Sequence, residues 1–154
     1  MTTGGWVLVV AVAAAVALGL WRAWSDGRFR GTHEVRGASA HEGAPPGPSV
    51  NVLASTEYAD ALGERATLLQ FSTAFCAPCR AARQTLAFVA ERVPGVAHVE
   101  IDAEHHLELV RRLGVVRTPT TLVLDAHGRE STRATGAPRR EQVLVALESV
   151  AGLG

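Results

Sequence analysis

The sequence predicts an α/β fold, a central mixed β-sheet flanked by helices, preceded by a separate apolar helix. Three observations carry that prediction. Strand-like and helix-like runs alternate through residues 51–154. A late strand pair with a tight turn adds an antiparallel edge to a parallel portion. Apolar residues crowd the first twenty positions, which explains a mean hydropathy of +0.14 in a chain with zero formal net charge. Its 154 residues allow one ordinary domain plus extra chain. The charge balance excludes a basic nucleic-acid binder, so no nucleic-acid partner is expected. All 15 basic residues are Arg, and two cysteines are too few for a disulfide scaffold or a four-thiolate metal site.

Residues 1–24 read as a single transmembrane anchor. Gly4 to Leu20 carries no charged or strongly polar side chain. Its 17 residues would span about 26 Å as a helix. Trp6 stands near one end, Trp21 and Trp24 at the other, as suits the headgroup level, and Arg22 can snorkel outward. A buried core helix would not need flanking tryptophans. A cleaved signal peptide expects a basic start, and Met1 to Gly5 has no Arg or Lys. It also expects small residues where Trp21-Arg22-Ala23-Trp24 stands. Arg22, Arg28, Arg30 and Arg36 follow the span, so the positive-inside rule puts the remaining chain in the cytoplasm.

Residues 25–50 have the composition of a flexible tether rich in Gly, Pro and Ala, and His33 and His41 there read as solvated. Residues 51–154 form the domain. Val50 to Leu53 reads as a short edge strand, and Ser55 as the cap of a helix through Leu62. Ala66 to Ser72 is an apolar, β-rich buried strand. A helix runs from Cys76 to Arg92 with Leu86, Val89, Ala90 and Val93 in one stripe, and Pro94-Gly95 ends it. Ala97 to Ile101 alternates as a strand. Glu104 to Leu113 is a short helix with Leu109, Val110 and Leu113 inward, stopped by Gly114. Thr120 to Leu124 and Glu130 to Thr135 are strands about a turn at Ala126-His127-Gly128. After Gly136-Ala137-Pro138 comes a last helix with the stripe Val143, Leu144, Leu147, Val150 and Ala151. The resulting order is βαβαβαββα.

The chemistry concentrates at Cys76-Ala77-Pro78-Cys79. Two cysteines three apart at a strand-to-helix junction bring their sulfurs within bonding reach. At the helix N-terminus, unpaired N–H groups and the positive dipole end favour the thiolate of Cys76. Cys79, one turn inside, is expected to be buried and less acidic. Pro78 has no N–H to lose there and stiffens the turn. Cys76 would attack a substrate disulfide, and Cys79 would resolve the mixed disulfide. A structural disulfide would close too short a loop to stabilise the fold. Metal binding would need His105 and His106, whose side chains diverge by about 100° on a helix. Arg80 and Arg83 either support the thiolate and steer acidic substrates or form a solvated face. Asp102, Glu104 and Glu108 read as acidic surface.

Phe75-Cys76-Ala77-Pro78-Cys79 after a strand, with Arg117-Thr118-Pro119-Thr120 downstream, resembles the thioredoxin family. The resemblance runs from Asn51 to Leu153 and includes Val99-Glu100-Ile101-Asp102, Gly114-Val115, Gly128 and Gly136. It implies the thioredoxin-like fold, with Pro119 as a cis-proline facing the cysteines and Thr118 offering its backbone to the substrate. Two departures stand out. The family often carries a buried Asp six residues before the first Cys, and Gln70 stands there. A Lys that often pairs with that Asp is replaced by His98, readable as a neutral-pH base or as a hydrogen-bonded core histidine. The family's usual Trp before the first Cys is Phe75.

The expected function is therefore a membrane-tethered protein-disulfide reductase. It would need no dissociable cofactor beyond the Cys76–Cys79 pair. Its partners would be disulfide-containing proteins and an electron-donating reductase or dithiol protein. The rivals are an extracytoplasmic thiol-disulfide oxidoreductase, for instance in cytochrome maturation, and a non-catalytic adaptor with the same fold.

Overall fold

Seven consecutive buried residues, Ala66–Ser72, make the second strand of the computed structural model, which describes residues 3–25, 29–31 and 51–151. Side chains are described within 6–21 and 51–150. The elements are α1 (Thr3–Ser25), β1 (Phe29–Gly31), a 3-10 turn (Ala59–Ala61), β2 (Ala66–Ser72), α2 (Ala77–Ala90), β3 (Val96–Asp102), α3 (Leu107–Arg112), β4 (Thr120–Asp125), β5 (Glu130–Thr135) and α4 (Arg140–Ala151). The sheet order is β1-β5-β4-β2-β3. β2 runs parallel to β3 and antiparallel to β4, so the mixed sheet matches expectation.

A strand covered on both faces reads as a continuous apolar run, which is why β2 shows no alternation. Leu69 and Phe71 face one core with Val99, Ile101, Leu109, Leu113, Leu122 and Leu124. Ala66 and Leu68 face the other, with Leu86 and Val89 of α2 and Val143 and Leu147 of α4. Glycine is required at position 114, where φ is +62° and α3 stops.

Five expectations change. The edge beside β5 is held by Phe29–Gly31, paired antiparallel as Phe29↔Ala134 and Gly31↔Thr132. Those residues fall inside the stretch read as a tether; 26–28 and 32–50 lie outside the described residues. Asn51 to Leu53 is a turn and not a strand. The Asn51 Oδ1 accepts from the Leu53 N–H at 2.9 Å, and Val52 donates to the Gly128 carbonyl at 2.9 Å. The helix expected over 55–62 shrinks to Ala59–Ala61, because the Thr56 hydroxyl bonds the Leu53 carbonyl and accepts from Tyr58 N–H. Such local side-chain bonds compete with a helix. α3 starts at Leu107 and not at Glu104 for the same reason: the Asp102 carboxylate accepts from Glu104 N–H at 2.8 Å. In α4 the inward residues are Val143, Ala146 and Leu147, and Leu144 is 42% exposed. It sits about 100° around the helix from Val143.

The expected membrane crossing is not found. Among the described residues no helix is long and apolar enough to cross a membrane. The side chains described on α1 run from Trp6 to Trp21, all exposed.

Candidate active site

β2 ends at Ser72, and the chain turns through Thr73 to Phe75 into α2. Cys76 is the N-cap of α2 in extended conformation, and its Sγ accepts from the Cys79 N–H at 3.2 Å. The helix end thus directs a donor onto the sulfur, as a thiolate requires. Cys76 and Cys79 form a disulfide with Cα atoms 5.1 Å apart. Cys76 is half-buried and Cys79 is buried, the asymmetry expected of an attacking and a resolving thiol. Ala77 and Pro78 open the helix, where a missing N–H leaves no bond unmade. Phe75 is 100% exposed beside the pair.

The second loop arrives ahead of β4. The Thr118–Pro119 bond is cis, as the resemblance implies, and Pro119 is buried. The Thr118 and Thr73 hydroxyls lie 3.3 Å apart, joining this loop to the one that carries Cys76. The Thr120 hydroxyl donates to the Arg117 carbonyl, and Pro119 O accepts from Gly136 N–H at 2.8 Å.

Gln70 lies fully buried beneath α2. Its Nε2 donates to the Cys79 carbonyl at 3.0 Å, and its Oε1 faces His98 Nε2 at 3.2 Å. A carbonyl only accepts, so the amide must turn its NH2 to Cys79. Its oxygen then requires a proton on His98 Nε2. Burial lowers the His98 pKa, Glu100 raises it and Arg83 lowers it again, with a net fall below 6.5. His98 thus turns a protonated Nε2 onto the Gln70 amide oxygen, and burial disfavours the charged form of its ring. Thr121, opposite Gln70 in register, holds the one buried side-chain oxygen or nitrogen among the described residues without a partner.

A charged group that sequence reading did not assemble completes the site. Arg83 Nη2 donates to Glu100 Oε1 at 2.8 Å, Arg83 Nε bonds Oε2, and the Ser72 hydroxyl also donates to Oε1. Burial pushes the Glu100 carboxyl up, but the Arg83 and Ser72 bonds outweigh it and hold the pKa below the usual range. A cleft of about 320 Å³ is lined by Cys76, Cys79, Arg80, Arg83, Glu100 and Asp102, among others. The signal available was parity: His98 and Glu100 share a strand face, and Cys79 and Arg83 share a helix face.

His105 and His106 do not converge. His105 Nδ1 bonds Asp102 Oδ2 at 2.9 Å, while His106 reaches the Asp102 carbonyl through Nδ1 and Glu57 Oε1 through Nε2. The Asp102 carbonyl and the Glu57 carboxylate only accept, so both favour the protonated ring. The Glu57 bond, first among the causes, raises its pKa. No group of three or more His, Cys, Asp or Glu among the described residues is placed to hold a metal.

Comparison with known proteins agrees with this geometry. The Thioredoxin family model matches residues 49–149. The thioredoxins of Chlamydia muridarum and Chlamydia trachomatis are each 24% identical over 95 residues, covering 62% of this chain and 92% of theirs. Among solved structures, a point-mutant thioredoxin from Halobacterium salinarum superposes with a TM-score of 0.54 at 22% identity, covering 59% of this chain and 79% of its own. Fasciola hepatica thioredoxin gives 0.52 at 22% identity, with 60% and 86% covered. A family match over the whole domain, a cysteine pair capping α2 and a cis-proline loop joined to it lead to one assignment: the chain belongs to the thioredoxin family.

Proposed function

We propose that this thioredoxin-family oxidoreductase works as a protein-disulfide reductase in which Cys76 attacks and Cys79 resolves. The observation that carries the reading is the unequal burial of a bonded pair whose outer sulfur caps a helix. The Cys76 thiolate attacks one sulfur of a substrate disulfide, and the other leaves as a thiolate. Cys79 loses its proton to solvent and attacks Cys76 Sγ, which releases the second substrate thiolate. Two electrons pass to the substrate, and the Cys76–Cys79 disulfide remains. A reductase or another dithiol protein returns it to the dithiol. The pair serves as the redox group without a dissociable cofactor. Pro78 stiffens the turn, Phe75 offers an apolar rim, and Thr118 and Pro119 bound the substrate strand. Gln70 and His98 support the buried thiol from below.

The proposal extends to place. The exposed apolar side chains from Trp6 to Trp21 and the arginines that follow support a tether to a membrane through α1 with the domain on the cytoplasmic side. Insulin-disulfide reduction by the full chain with dithiothreitol tests the activity. Turnover that disappears in Cys76→Ser is expected, and wild-type turnover no faster than dithiothreitol alone would refute it. Flotation with lipid vesicles tests the tether. A membrane-impermeant thiol reagent on intact cells tests the side: labelling of Cys76 without lysis would overturn the cytoplasmic placement.

A further inference from the structure

Directly beneath Cys79 stands a neutral amide, Gln70, in place of a carboxylate. Gln70 does not titrate, and the His98 proton is turned onto Gln70. Charge reaches the pair from the side instead. Cys79 and Arg83 are four apart on α2 and share a face. Glu100 pairs in register with Gln70, whose amide holds the Cys79 carbonyl, so it stands one strand over, about 4.8 Å, on the same face. The Arg83 guanidinium bridges from α2 to both Glu100 oxygens, and both side chains line the cleft that Cys76 and Cys79 line.

We propose that the Arg83–Glu100 pair sets the charge facing the Cys79 thiol, with Arg83 a positioning residue that cancels the carboxylate. This rests on the redox reading above. The step concerned is the resolving one: Cys79 releases its proton to solvent, its sulfur bonds Cys76, and the Cys76–substrate bond breaks. The substrate sulfur departs with the electron pair.

The other charged or titratable groups on the cleft and the elements about it do not replace the pair. On β3, burial disfavours a charge on His98, and the Asp102 carboxylate is engaged by His105 and the Glu104 N–H. From α2 only Arg80 joins Arg83. β2 contributes Gln70 and the Ser72 hydroxyl. Removing the Glu100 charge thus leaves Arg83 facing the thiol and favours the thiolate. Removing the Arg83 charge leaves Glu100 and disfavours it.

The test uses the reduced full chain and dithiobis(nitrobenzoate), whose released thiolate is coloured. The first release reads attack by Cys76 and the second reads resolution by Cys79. Followed from pH 5 to 9, the second phase in Glu100→Gln should shift its midpoint to lower pH. Below the wild-type midpoint it should run about threefold to fivefold faster, because the larger thiolate fraction outweighs the nucleophilicity lost with a lower thiol pKa. Arg83→Gln should move oppositely by a similar factor, Arg83→Lys should restore the wild-type profile, and Arg83→Gln/Glu100→Gln should return close to it. Slower resolution in Glu100→Gln would mean that Glu100 is a base, and shifts of the same sign in both single variants would mean mere scaffolding. Either overturns the proposal. A missing first phase in the wild type would sink the redox reading and the proposal with it; a normal first phase with unshifted second phases sinks the proposal alone.

Discussion

Replacing Gln70 by Leu keeps the side-chain volume nearly constant and removes only the carboxamide. Two hydrogen bonds disappear, to the Cys79 carbonyl and from His98 Nε2. Each contributes about 1 kcal/mol net. The penalty for stranded partners is small here. Cys79 lies inside α2, so its carbonyl keeps its helical bond, and half-buried His98 can turn to solvent. The expected loss is about 1.5–2.5 kcal/mol. For a domain of about 100 residues that lowers Tm by roughly 6–15 °C. Urea unfolding at pH 7 with both cysteines oxidised measures it, and the m-value should not change. A companion variant, Gln70→Leu/His98→Leu, should lose less than the two single losses combined, because the shared bond is counted once. Gln70→Leu within about 0.5 kcal/mol of wild type would refute the hydrogen-bonded arrangement of amide, helix and histidine.

Four further outcomes follow. Thr121→Val removes a buried hydroxyl that has no partner, and should stabilise the domain by about 1 kcal/mol in the same unfolding assay. Phe75→Ala changes a fully exposed side chain, so Tm should hold while the KM for a protein disulfide rises, and a lost Tm would contradict the exposure. His106 has a raised folded pKa, so its stabilisation is present below its unfolded value near 6.5 and is lost as pH rises through the folded value. His106→Gln should therefore destabilise at pH 5.5 and matter little at pH 9. His98 has the opposite sign: its lowered folded pKa makes stability fall as pH drops below about 6.5, and His98→Gln should flatten that limb.

What the residues disclosed in advance tracks how local the determining forces are. β2 and β5 appear where sequence reading places them, because a run of seven buried residues and a short alternating run after a glycine turn are self-contained signals. The Cys76–Cys79 geometry was legible for the same reason: spacing and a helix start decide it. β1 was not, since three residues are too few to show a period and only pairing to β5 makes Phe29–Gly31 a strand. The 55–62 helix failed because the Thr56 hydroxyl captured backbone groups that a helix needs. The Arg83–Glu100 pair needed the register between β2 and β3, which no stretch of chain states by itself. The tautomer of His98 needed the orientation of one amide.

β1 also fixes a distance that a tether of residues 25–50 would have left free. Phe29 lies opposite Ala134, and the next residue, Thr135, lies opposite Thr120, which follows the cis-proline. Two strand spacings, about 10 Å, separate the start of β1 from the start of β4. Four residue steps join Ser25 to Phe29, which can stretch no more than about 14 Å. A coil of 25 residues would wander over an average reach of about 25–30 Å. A membrane grip on α1, as proposed above, would leash the redox end of the sheet to it. A disulfide presented far from that grip would then have to come to the domain by diffusion.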